Sequence, residues 1–492
     1  MLQRLTLTEF LELAKTSKRI ACYQEITADR LTPISIVESL HEEMQEGTIL
    51  ESGLRHEDAG RFSFIAFDKI AQLTVSNNKI LKKIKSNTTT HTEPPLTVLR
   101  QLLREFATTH LANSSEFINS AVGFLTYDAI RLFEAIPNRH RPVNPLPDMF
   151  FNFYDTTLIF DHLQQKLLIN VTIEVNKNPA ESYERAQEKI TTLITKMTTF
   201  IPQNNIQTKQ KKENNSPTTV DVSDEEFIKL VERAKQYIIA GDAFQIVLSR
   251  RFTQQYQATP FDIYRALRRI APAPYMFYIP TDDGIIVGAS PEKLIKVRQK
   301  QVEVNPIAGT RPRLDNSHDE AIATELLKNE KEVAEHMMLV DLARNDLGRV
   351  CQPNSVEVSE LLKVKHFSHV SHITSTVKGK LRDNLDALDA LAAVFPAGTL
   401  SGAPKIRAME IIDELETSKR GLYGGAICRL DSQGNLDSCI AIRMAQLKEG
   451  VATIRAGGGI VYDSDPQAEA RETRQKAESM LAAIRLADEE LA

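Results

Sequence analysis

Cysteine is scarce in this chain of 492 residues. The four that are present stand far apart, at Cys22, Cys351, Cys428 and Cys439. They form no C-x-x-C pair, which argues against both a disulfide framework and a cysteine-based zinc site. This usage is typical of a reducing compartment, and we expect a cytoplasmic protein.

Long apolar runs and an excess of positive charge are also lacking. No stretch approaches the roughly 20 apolar residues that span a bilayer. Residues 1–18 carry scattered charges without an apolar centre, so we expect no secretory signal. The formal net charge of −5 argues against nonspecific nucleic-acid binding, which needs a basic surface. An anionic ligand would have to be held by local Arg or Lys side chains, backbone N–H groups or a metal ion.

Several widespread catalytic motifs are missing as well. No G-x-G-x-x-G opens a helix directly after a strand, and there is no Walker loop, H-E-x-x-H or G-x-S-x-G. The segment GTLSG at 398–402 has the wrong spacing for a nucleophile elbow. The site must therefore be sought in less familiar patterns.

What the sequence contains is a succession of strand and helix patterns. Strands come in runs separated by hairpin-like turns (DDG, DSQGN and KEG), which favours an antiparallel or mixed sheet with helices outside it, an α+β fold. Ser223 followed by Glu226 forms a capping box, which predicts that a helix begins there. Helices are predicted at 179–200, 223–240, 318–348, 384–394, 403–417 and 466–488. Strands are predicted at 156–162, 166–175, 243–252, 275–280, 284–288, 294–304, 367–377, 423–430, 437–447 and 451–461.

One polar stretch divides the chain. Residues 202–224 lack aromatics and are poor in branched apolar side chains, a composition typical of a mobile surface connection. We therefore expect an N-terminal region at 1–200, a flexible linker at 201–222 and a catalytic region at 223–492.

Two of the predicted helices carry acidic stripes. Glu332 and Glu335 are three residues apart, and Glu469, Glu472 and Lys476 follow at i, i+3 and i+7. Either stripe by itself is equally typical of a solvated helix face. If the two faced each other, they could hold Mg²⁺, which prefers a few carboxylates together with water and a substrate oxygen.

Three consecutive glycines, Gly457, Gly458 and Gly459, precede the second acidic helix. Glycine weakens a strand and usually marks the close approach of another group to the backbone. A ligand carboxylate resting on their N–H groups, with Arg443 or Lys476 nearby, is one coherent interpretation.

Longer segments resemble the chorismate-utilising enzymes, and specifically the anthranilate synthase component I group. GASPE, PIAGTRPR, EHMMLVDLARNDLGRV, FPAGTLSGAPKIRAMEII and IRAGGGIVYDSDPQAEARETRQKAESM occur in that family's order. The resemblance is strong over 223–488 and weaker in GRFSF and GFLTYDAIRLFE. It implies the family's chorismate-binding fold, with a large antiparallel sheet.

The resemblance implies a metal site and a substrate site. Glu335 and Glu472 would bind Mg²⁺, with Glu332 and Glu469 behind them, and the metal would bind the ring carboxylate of chorismate. The residues expected to bind substrate are Gly309 and Thr310 along the ring, Tyr423 and Arg443 at the enolpyruvyl carboxylate, and Gly457, Gly458, Gly459 and Lys476 at the ring carboxylate.

The resemblance also implies catalytic roles. Glu292 would be the general acid for the departing C4 hydroxyl, which requires burial to raise its pKa. Thr399 and His372 would lie beside the ring, with His372 assisting the loss of pyruvate. From the residues alone, His372 equally suits an edge strand, Glu292 a turn and Thr399 a helix cap.

Two positions favour one branch of the family. Members that add water use a lysine base where this chain has Gln245, whose amide cannot deprotonate water but can orient ammonia. Aminodeoxychorismate synthases typically carry a nucleophilic lysine where this chain has Ala308, whose methyl cannot attack carbon. We therefore expect ammonia itself to attack C2 of chorismate, followed by loss of pyruvate to give anthranilate.

The segments ILES and PAPYMFYIP resemble the family's tryptophan feedback site. The residues carried over are Glu51, Ser52, Pro274, Tyr275 and Met276. The family more often has Asn and Ser where this chain has Ala271 and Ala273, so the strength of inhibition stays open. An aromatic residue and a methionine in a strand also suit ordinary packing.

The resemblance implies a partner. No cysteine lies in a nucleophile elbow with glycine on both sides, so glutamine-dependent activity would need a separate amidotransferase subunit, anthranilate synthase component II. We expect a heterotetramer of two large and two small subunits. Two alternatives stay open: aminodeoxychorismate synthase component I, and a non-catalytic regulator that binds chorismate or tryptophan.

Overall fold

The computed structural model describes residues 4–53, 60–108, 120–201, 216–313, 318–366 and 370–490. In these ranges the helices, numbered in chain order, are α1 Leu7–Leu13, α2 Pro33–Ser39, α3 Pro95–Glu105, α4 Pro179–Thr199, α5 Asp224–Ile239, α6 Pro260–Ile270, α7 Asp319–Lys328, α8 Glu330–Gly348, α9 Ala387–Val394, α10 Gly398–Ser401, α11 Lys405–Leu415 and α12 Pro466–Glu490. Short 3₁₀ helices span Glu43–Glu46 and Tyr127–Leu132.

The strands in the same ranges are β1 Arg19–Thr27, β2 Thr48–Glu51, β3 Phe62–Ser76, β4 Lys79–Ile84, β5 Asn87–His91, β6 Ala121–Leu125, β7 Met149–Asp161, β8 Lys166–Glu174, β9 Thr219–Val220, β10 Gln245–Gln255, β11 Tyr275–Thr281, β12 Gly284–Ser290, β13 Lys293–Arg298, β14 Gln301–Val304, β15 Ile307–Pro312, β16 Glu357–His366, β17 Val370–Lys380, β18 Gly402–Ala403, β19 Ala426–Leu430, β20 Leu436–Ile440, β21 Met444–Lys448 and β22 Val451–Ile460.

Hydrogen bonds join these strands into one sheet system in which every pairing is antiparallel. The α+β fold expected from the hairpin-like turns is therefore confirmed. No helix in the described ranges is both long and apolar enough to cross a membrane.

Strands from both ends of the chain alternate in this sheet. β2 pairs with β11, and β6 pairs with β19, so N-terminal strands lie directly beside strands of the expected catalytic region. Most of the expected linker, residues 202–215, lies outside the described residues, and β9 occupies part of its end. The three-part division of the chain stays a prediction.

Three predicted elements differ in detail from the observed ones. The helix expected at 318–348 is two helices, because the side chain of Asn329 accepts a hydrogen bond from the Glu332 amide and caps α8. The strand expected at 294–304 is the hairpin β13–β14, which turns at Gln299 and Lys300 with positive φ angles. The strand expected at 437–447 is β20 and β21, interrupted before Met444.

The helices α8 and α12 bury their apolar faces in different parts of the core. Val340 and Leu347 of α8 belong to one large hydrophobic cluster, whereas Met480 and Ile484 of α12 belong to the other. α8 packs on β15 and β17, and α12 packs on β22 and α6. Two helices with separate cores are thus anchored independently, and their polar faces are available for a site between them.

Candidate active site

The acidic stripes of α8 and α12 approach each other. Burial raises the pKa of Glu335, and the negative charges of Glu332 and of Glu472, on the other helix, raise it further. Glu472 forms an ion pair with Lys476, at 2.5 Å between Oε1 and Nζ. Burial and the charge of Glu472 also raise the pKa of Glu469. Negative charge is therefore concentrated between the two helices, and Lys476 and Arg311 offset it only in part.

This donor set suits a hard divalent cation such as Mg²⁺, because it consists of carboxylate oxygens. Oε2 of Glu332 is buried and has no hydrogen-bond partner among the described residues. In the same residues, no three His, Cys, Asp or Glu side chains already form a group that could hold a metal ion. A cation here would bind to few carboxylates and would need water or ligand oxygens to complete its coordination.

Gly309 lies against the first acidic helix. It occupies a bulge in the β15–β17 pairing, with a φ of +64°, a conformation that favours glycine. A Cβ at this position would collide with Oε2 of Glu332. Arg311, two residues later, donates from Nη1 to Oε1 of Glu332 at 2.5 Å. The loop thus fixes one carboxylate of the stripe from two sides.

The three glycines of β22 accommodate side chains that the sequence assigned to the site. A Cβ at Gly459 would lie 2.5 Å from Nε2 of Gln245. One at Gly458 would lie 2.6 Å from Oε2 of Glu469, and one at Gly457 would lie 2.9 Å from the Tyr423 hydroxyl. The expected close approach to the backbone is present, and the approaching groups belong to the protein itself. Binding of a carboxylate by the glycine amides stays a prediction.

Gln245 links the strand β10 to the first acidic helix. Its Nε2 lies 3.5 Å from Oε1 of Glu335, a long hydrogen bond, and its Oε1 is buried without a partner among the described residues. In β10, Val247 and Ser249 lie opposite Gly459 and Gly457. The amide therefore lies between the glycine strand and the carboxylates with an acceptor still available.

Glu292 and Thr399 form a second contact within the site. The Thr399 hydroxyl donates to Oε1 of Glu292 at 2.9 Å. Burial raises the pKa of Glu292 to about 7, although the Thr399 hydrogen bond and the positive charge of Lys476 oppose the rise. Glu292 keeps partial solvent exposure. A partly accessible carboxyl that holds its proton near neutral pH has the property required of a general acid.

His372 lies on β17 opposite Thr310 of β15. Its Nδ1 lies 3.0 Å from the carbonyl oxygen of Gly309. A carbonyl only accepts hydrogen bonds, so Nδ1 carries the proton and Nε2 is the unprotonated nitrogen of the neutral ring. Burial lowers the pKa of His372, which favours this neutral form. The side chain of Thr310 lies outside the described part of the chain.

Tyr423, Arg443 and Lys476 form the remaining part of the predicted substrate site. Nζ of Lys476 donates to the Gly457 carbonyl at 3.1 Å, and Nη1 of Arg443 donates to the Lys476 carbonyl at 3.3 Å. Burial raises the pKa of Tyr423 to about 12. Burial also lowers the pKa of Arg443, and the charges of Tyr423 and Glu472 partly offset that lowering. A phenol and two cations thus lie at one edge of the glycine strand.

The residues of the predicted tryptophan site lie elsewhere in the sheet. Glu51 pairs with Met276 across β2 and β11, and Ser52 and Pro274 flank this pair in sequence. Oε2 of Glu51 accepts hydrogen bonds from Tyr264 at 2.8 Å and from Arg268 at 2.5 Å. Its Oε1 is buried without a partner among the described residues, and burial raises the pKa of Glu51.

Tyr275 stands apart from this group. Strand side chains alternate between faces, so Tyr275 and Met276 point to opposite sides of the sheet. The Tyr275 hydroxyl donates to Oδ1 of Asp437 at 3.2 Å, and the two neighbours contact different hydrophobic clusters. The structure therefore gathers Glu51, Ser52 and Met276 at one place and directs the Tyr275 side chain elsewhere.

Sequence reasoning missed two groups that contact the site. Arg311 has no predicted role within the PIAGTRPR segment, and its contact with Glu332 spans 21 positions. The second is the buried ion pair of Glu416 and Arg420, which no sequence motif indicates. The i,i+4 spacing of the two residues would indicate an ion pair inside a helix. Both residues lie beyond the end of α11, so the spacing by itself did not predict the pair.

Comparison with known proteins gives a consistent result. The family model for chorismate binding enzyme matches residues 51–482. Anthranilate synthase component 1 of Acetivibrio thermocellus is 43% identical over 98% of this chain and 99% of that protein. The corresponding protein of Aquifex aeolicus is 38% identical over 99% and 98%.

Solved structures agree with the sequence comparison. Anthranilate synthase component I from Streptococcus pneumoniae superposes with a TM-score of 0.76 at 37% identity, covering 92% of this chain and 98% of that one. The isochorismate synthase MenF from Escherichia coli shares the fold, with a TM-score of 0.70 at 18% identity.

Proposed function

The chain belongs to the chorismate-binding enzyme family and, within it, to the anthranilate synthase component I group, and from this premise we propose the chemistry of its site. The enzyme is an anthranilate synthase that acts on chorismate in the first step of tryptophan synthesis. One observation supports the location of the reaction above all others. Gln245 of β10, Glu469 of α12 and Tyr423 of the turn before β19 meet at the three glycines of β22.

In the first half of the reaction, ammonia attacks C2 of chorismate and the C4 hydroxyl leaves as water. Glu292 supplies the proton for that departure, since its raised pKa keeps it protonated near pH 7. Gln245 orients the ammonia, and its unpartnered Oε1 is available to accept an N–H hydrogen bond. Ala308 places only a methyl group at the ring, so no side chain there competes as a nucleophile.

In the second half, the C2 proton is lost and the bond between C3 and the ether oxygen breaks, which makes the ring aromatic. The departing enolpyruvate takes up a proton and becomes pyruvate. We assign His372 to this half, because its neutral ring, with the proton on Nδ1, has a basic nitrogen.

Cationic side chains and the metal hold the two substrate carboxylates. Arg443 and Tyr423 bind the enolpyruvyl carboxylate, for which the planar guanidinium is well shaped, and Lys476 with the glycine amides addresses the ring carboxylate. Glu335 and Glu472 would hold Mg²⁺, with Glu332 and Glu469 behind them. When bound, the ion supplies positive charge that neutralises the acidic stripes and attracts the ring carboxylate.

Ammonia reaches the site from glutamine through a separate amidotransferase subunit, component II, in a heterotetramer of two large and two small subunits. Alone, the chain would therefore depend on ammonium salts.

Tryptophan would bind at Glu51, Ser52, Pro274 and Met276, with Tyr275 in the same segment, and inhibit the enzyme. In support of this assignment, Oε1 of Glu51 is available to accept a hydrogen bond from the ammonium group of an amino acid.

The test uses the purified chain with chorismate, Mg²⁺ and ammonium, and monitors anthranilate by fluorescence and pyruvate by a coupled assay. We expect both products in equal amounts, activity that disappears on chelation of Mg²⁺, and inhibition by added tryptophan. A product that retains the enolpyruvyl group would instead identify an aminodeoxychorismate synthase. Binding of chorismate without turnover would identify a regulator.

A further inference from the structure

A fully buried ion pair lies directly behind the site. Glu416 and Arg420 each expose 2% of the side chain. Nε of Arg420 donates to both Glu416 oxygens, at 3.1 and 3.0 Å, and Nη2 donates to Oε1 at 2.6 Å. Burial alone would raise the pKa of Glu416, but the charges of Arg420 and Arg455 lower it. The pair is therefore ionised inside the protein.

The same guanidinium joins two site elements through backbone carbonyls. Nη1 donates to the carbonyl of Leu400 at 2.6 Å, in the short helix α10 immediately after Thr399. Nη2 donates to the carbonyl of Val247 at 2.5 Å, in β10 opposite Gly459. One planar group thus links the threonine that contacts the general acid to β10, the strand that pairs with the glycines of β22.

The carboxylate completes the connection. The backbone N–H and the hydroxyl of Ser249, opposite Gly457, both donate to Oε1 of Glu416 at 2.8 Å. Arg420 itself lies three residues before Tyr423, and its guanidinium carbon is 5.8 Å from the centre of that ring. Three elements of the site therefore converge on this one ion pair.

Stability alone explains such an arrangement poorly. Removing two charges from water is costly, and apolar side chains of similar volume often stabilise a core equally well. A guanidinium, however, offers five N–H donors in a fixed plane, so it can set the relative position of several acceptors at once.

We propose that Arg420, oriented by Glu416, is a positioning residue that fixes α10, β10 and the Tyr423 segment relative to one another. Through Leu400 it keeps the Thr399 hydroxyl within hydrogen-bond distance of Glu292, and through Val247 and Ser249 it holds the glycine strand in register with the site. This inference rests on the proposed function, because it assigns Thr399 and Glu292 to the reaction.

The test is a double-mutant cycle of Arg420→Lys and Thr399→Val. Lysine keeps the charge, but its single nitrogen cannot reach both carbonyls and the carboxylate in one plane. We expect R420K to fold and to lower kcat about tenfold, equivalent to ~1.4 kcal/mol. If Arg420 acts through Thr399, the double variant should have a kcat less than about twofold below that of T399V alone.

A merely structural ion pair gives the opposite result. In that case R420K would lower kcat by the same factor in the wild-type and T399V backgrounds, because it reduces the amount of folded enzyme. Alternatively, R420K would lower the melting temperature and leave kcat unchanged. Either outcome overturns the proposal. Arg19→Lys is the matched control, since Arg19 pairs with Asp155 in the N-terminal region and contacts none of the site residues. It should alter thermal stability without altering kcat.

A second variant covers the case in which R420K does not fold. Ser249→Ala removes one hydrogen bond to Glu416 and leaves the ion pair intact. The proposal is supported if S249A lowers kcat in the wild-type background but lowers it little further in the T399V background. A wild-type kcat in S249A overturns it. If the wild-type chain forms no anthranilate, the proposed function fails before any variant is compared, so the two failures are distinguishable.

Discussion

The hydrogen bond between Thr399 and Glu292 makes the pH dependence of the reaction a direct test of the general acid. Thr399→Val keeps the shape of the side chain and removes the hydroxyl that donates to Oε1 of Glu292 at 2.9 Å. That donation stabilises the charged carboxylate and lowers its pKa, against burial, which raises the pKa to about 7. Loss of the hydroxyl should therefore raise the pKa further.

The size of the effect follows from the charge on the acceptor. A hydrogen bond to a charged group contributes about 1.5–3 kcal/mol, and ~1.4 kcal/mol corresponds to one pH unit. Because Glu292 is partly exposed, we take the lower end and expect a change of about one pH unit. The acid must be protonated to act, so activity falls as pH rises through its pKa. In T399V this fall should move from near pH 7 to about pH 8.

The assay measures kcat/KM for chorismate between pH 5.5 and about 9.5, since this parameter reports ionisations of the free enzyme. Ammonium is adjusted at each pH to keep free ammonia constant, because ammonia is the expected nucleophile. Thr399→Ser is the matched control: it retains the hydroxyl and should keep the wild-type profile. An unchanged alkaline limb in T399V, or one moved to lower pH, would refute the assignment of Glu292 as the acid held by Thr399.

Three further predictions concern the metal, the loop and the inhibitor. Gly309→Ala should lower kcat/KM roughly tenfold or more, because an added Cβ is strained at a φ of +64° and displaces Glu332; wild-type kinetics would contradict this. Glu335→Gln should raise the Mg²⁺ concentration for half-maximal activity roughly tenfold, measured by adding Mg²⁺ to enzyme first freed of metal with a chelator. An unchanged Mg²⁺ requirement would show that Glu335 is not a metal ligand. Glu51→Gln should raise the tryptophan concentration for half inhibition by a larger factor than it changes KM for chorismate. Thermal unfolding of the variant serves as the control for folding. A sensitivity to tryptophan equal to that of the wild-type enzyme would place the inhibitor elsewhere.

The acidic stripes show how far the sequence alone could lead. Helical spacing predicts correctly that Glu332 and Glu335 share a face, and that Glu469 and Glu472 do so as well. Spacing could not show that the two faces approach each other, because that depends on where α8 and α12 bury their apolar sides. The resemblance to a known family, and not the periodicity, suggested the approach, which the effect of Glu472 in raising the pKa of Glu335 now reflects.

Local conformations were harder to predict than element types. The break between α7 and α8 depends on one capping asparagine inside an otherwise continuous helical pattern. Arg443 adopts a φ of +51° between β20 and β21, which no propensity for arginine anticipates. Its side chain is nevertheless held at the Lys476 carbonyl. The contact of Arg443 spans 33 positions, and no short window of sequence contains it.

Burial gives the two proposed proton-transfer groups their different roles by a single physical cause. An apolar environment disfavours charge, and the charged form of a carboxyl is the one that has lost a proton, whereas that of an imidazole has gained one. The pKa of Glu292 is therefore raised to about 7 and the pKa of His372 is lowered. Near neutral pH the first keeps a proton to donate and the second keeps a lone pair to accept one. Burial stabilises both neutral forms, so a substitution that admits water beside Glu292 should move the acid's limb to lower pH. One that admits water beside His372 should move the base's limb to higher pH, and either change narrows the active range.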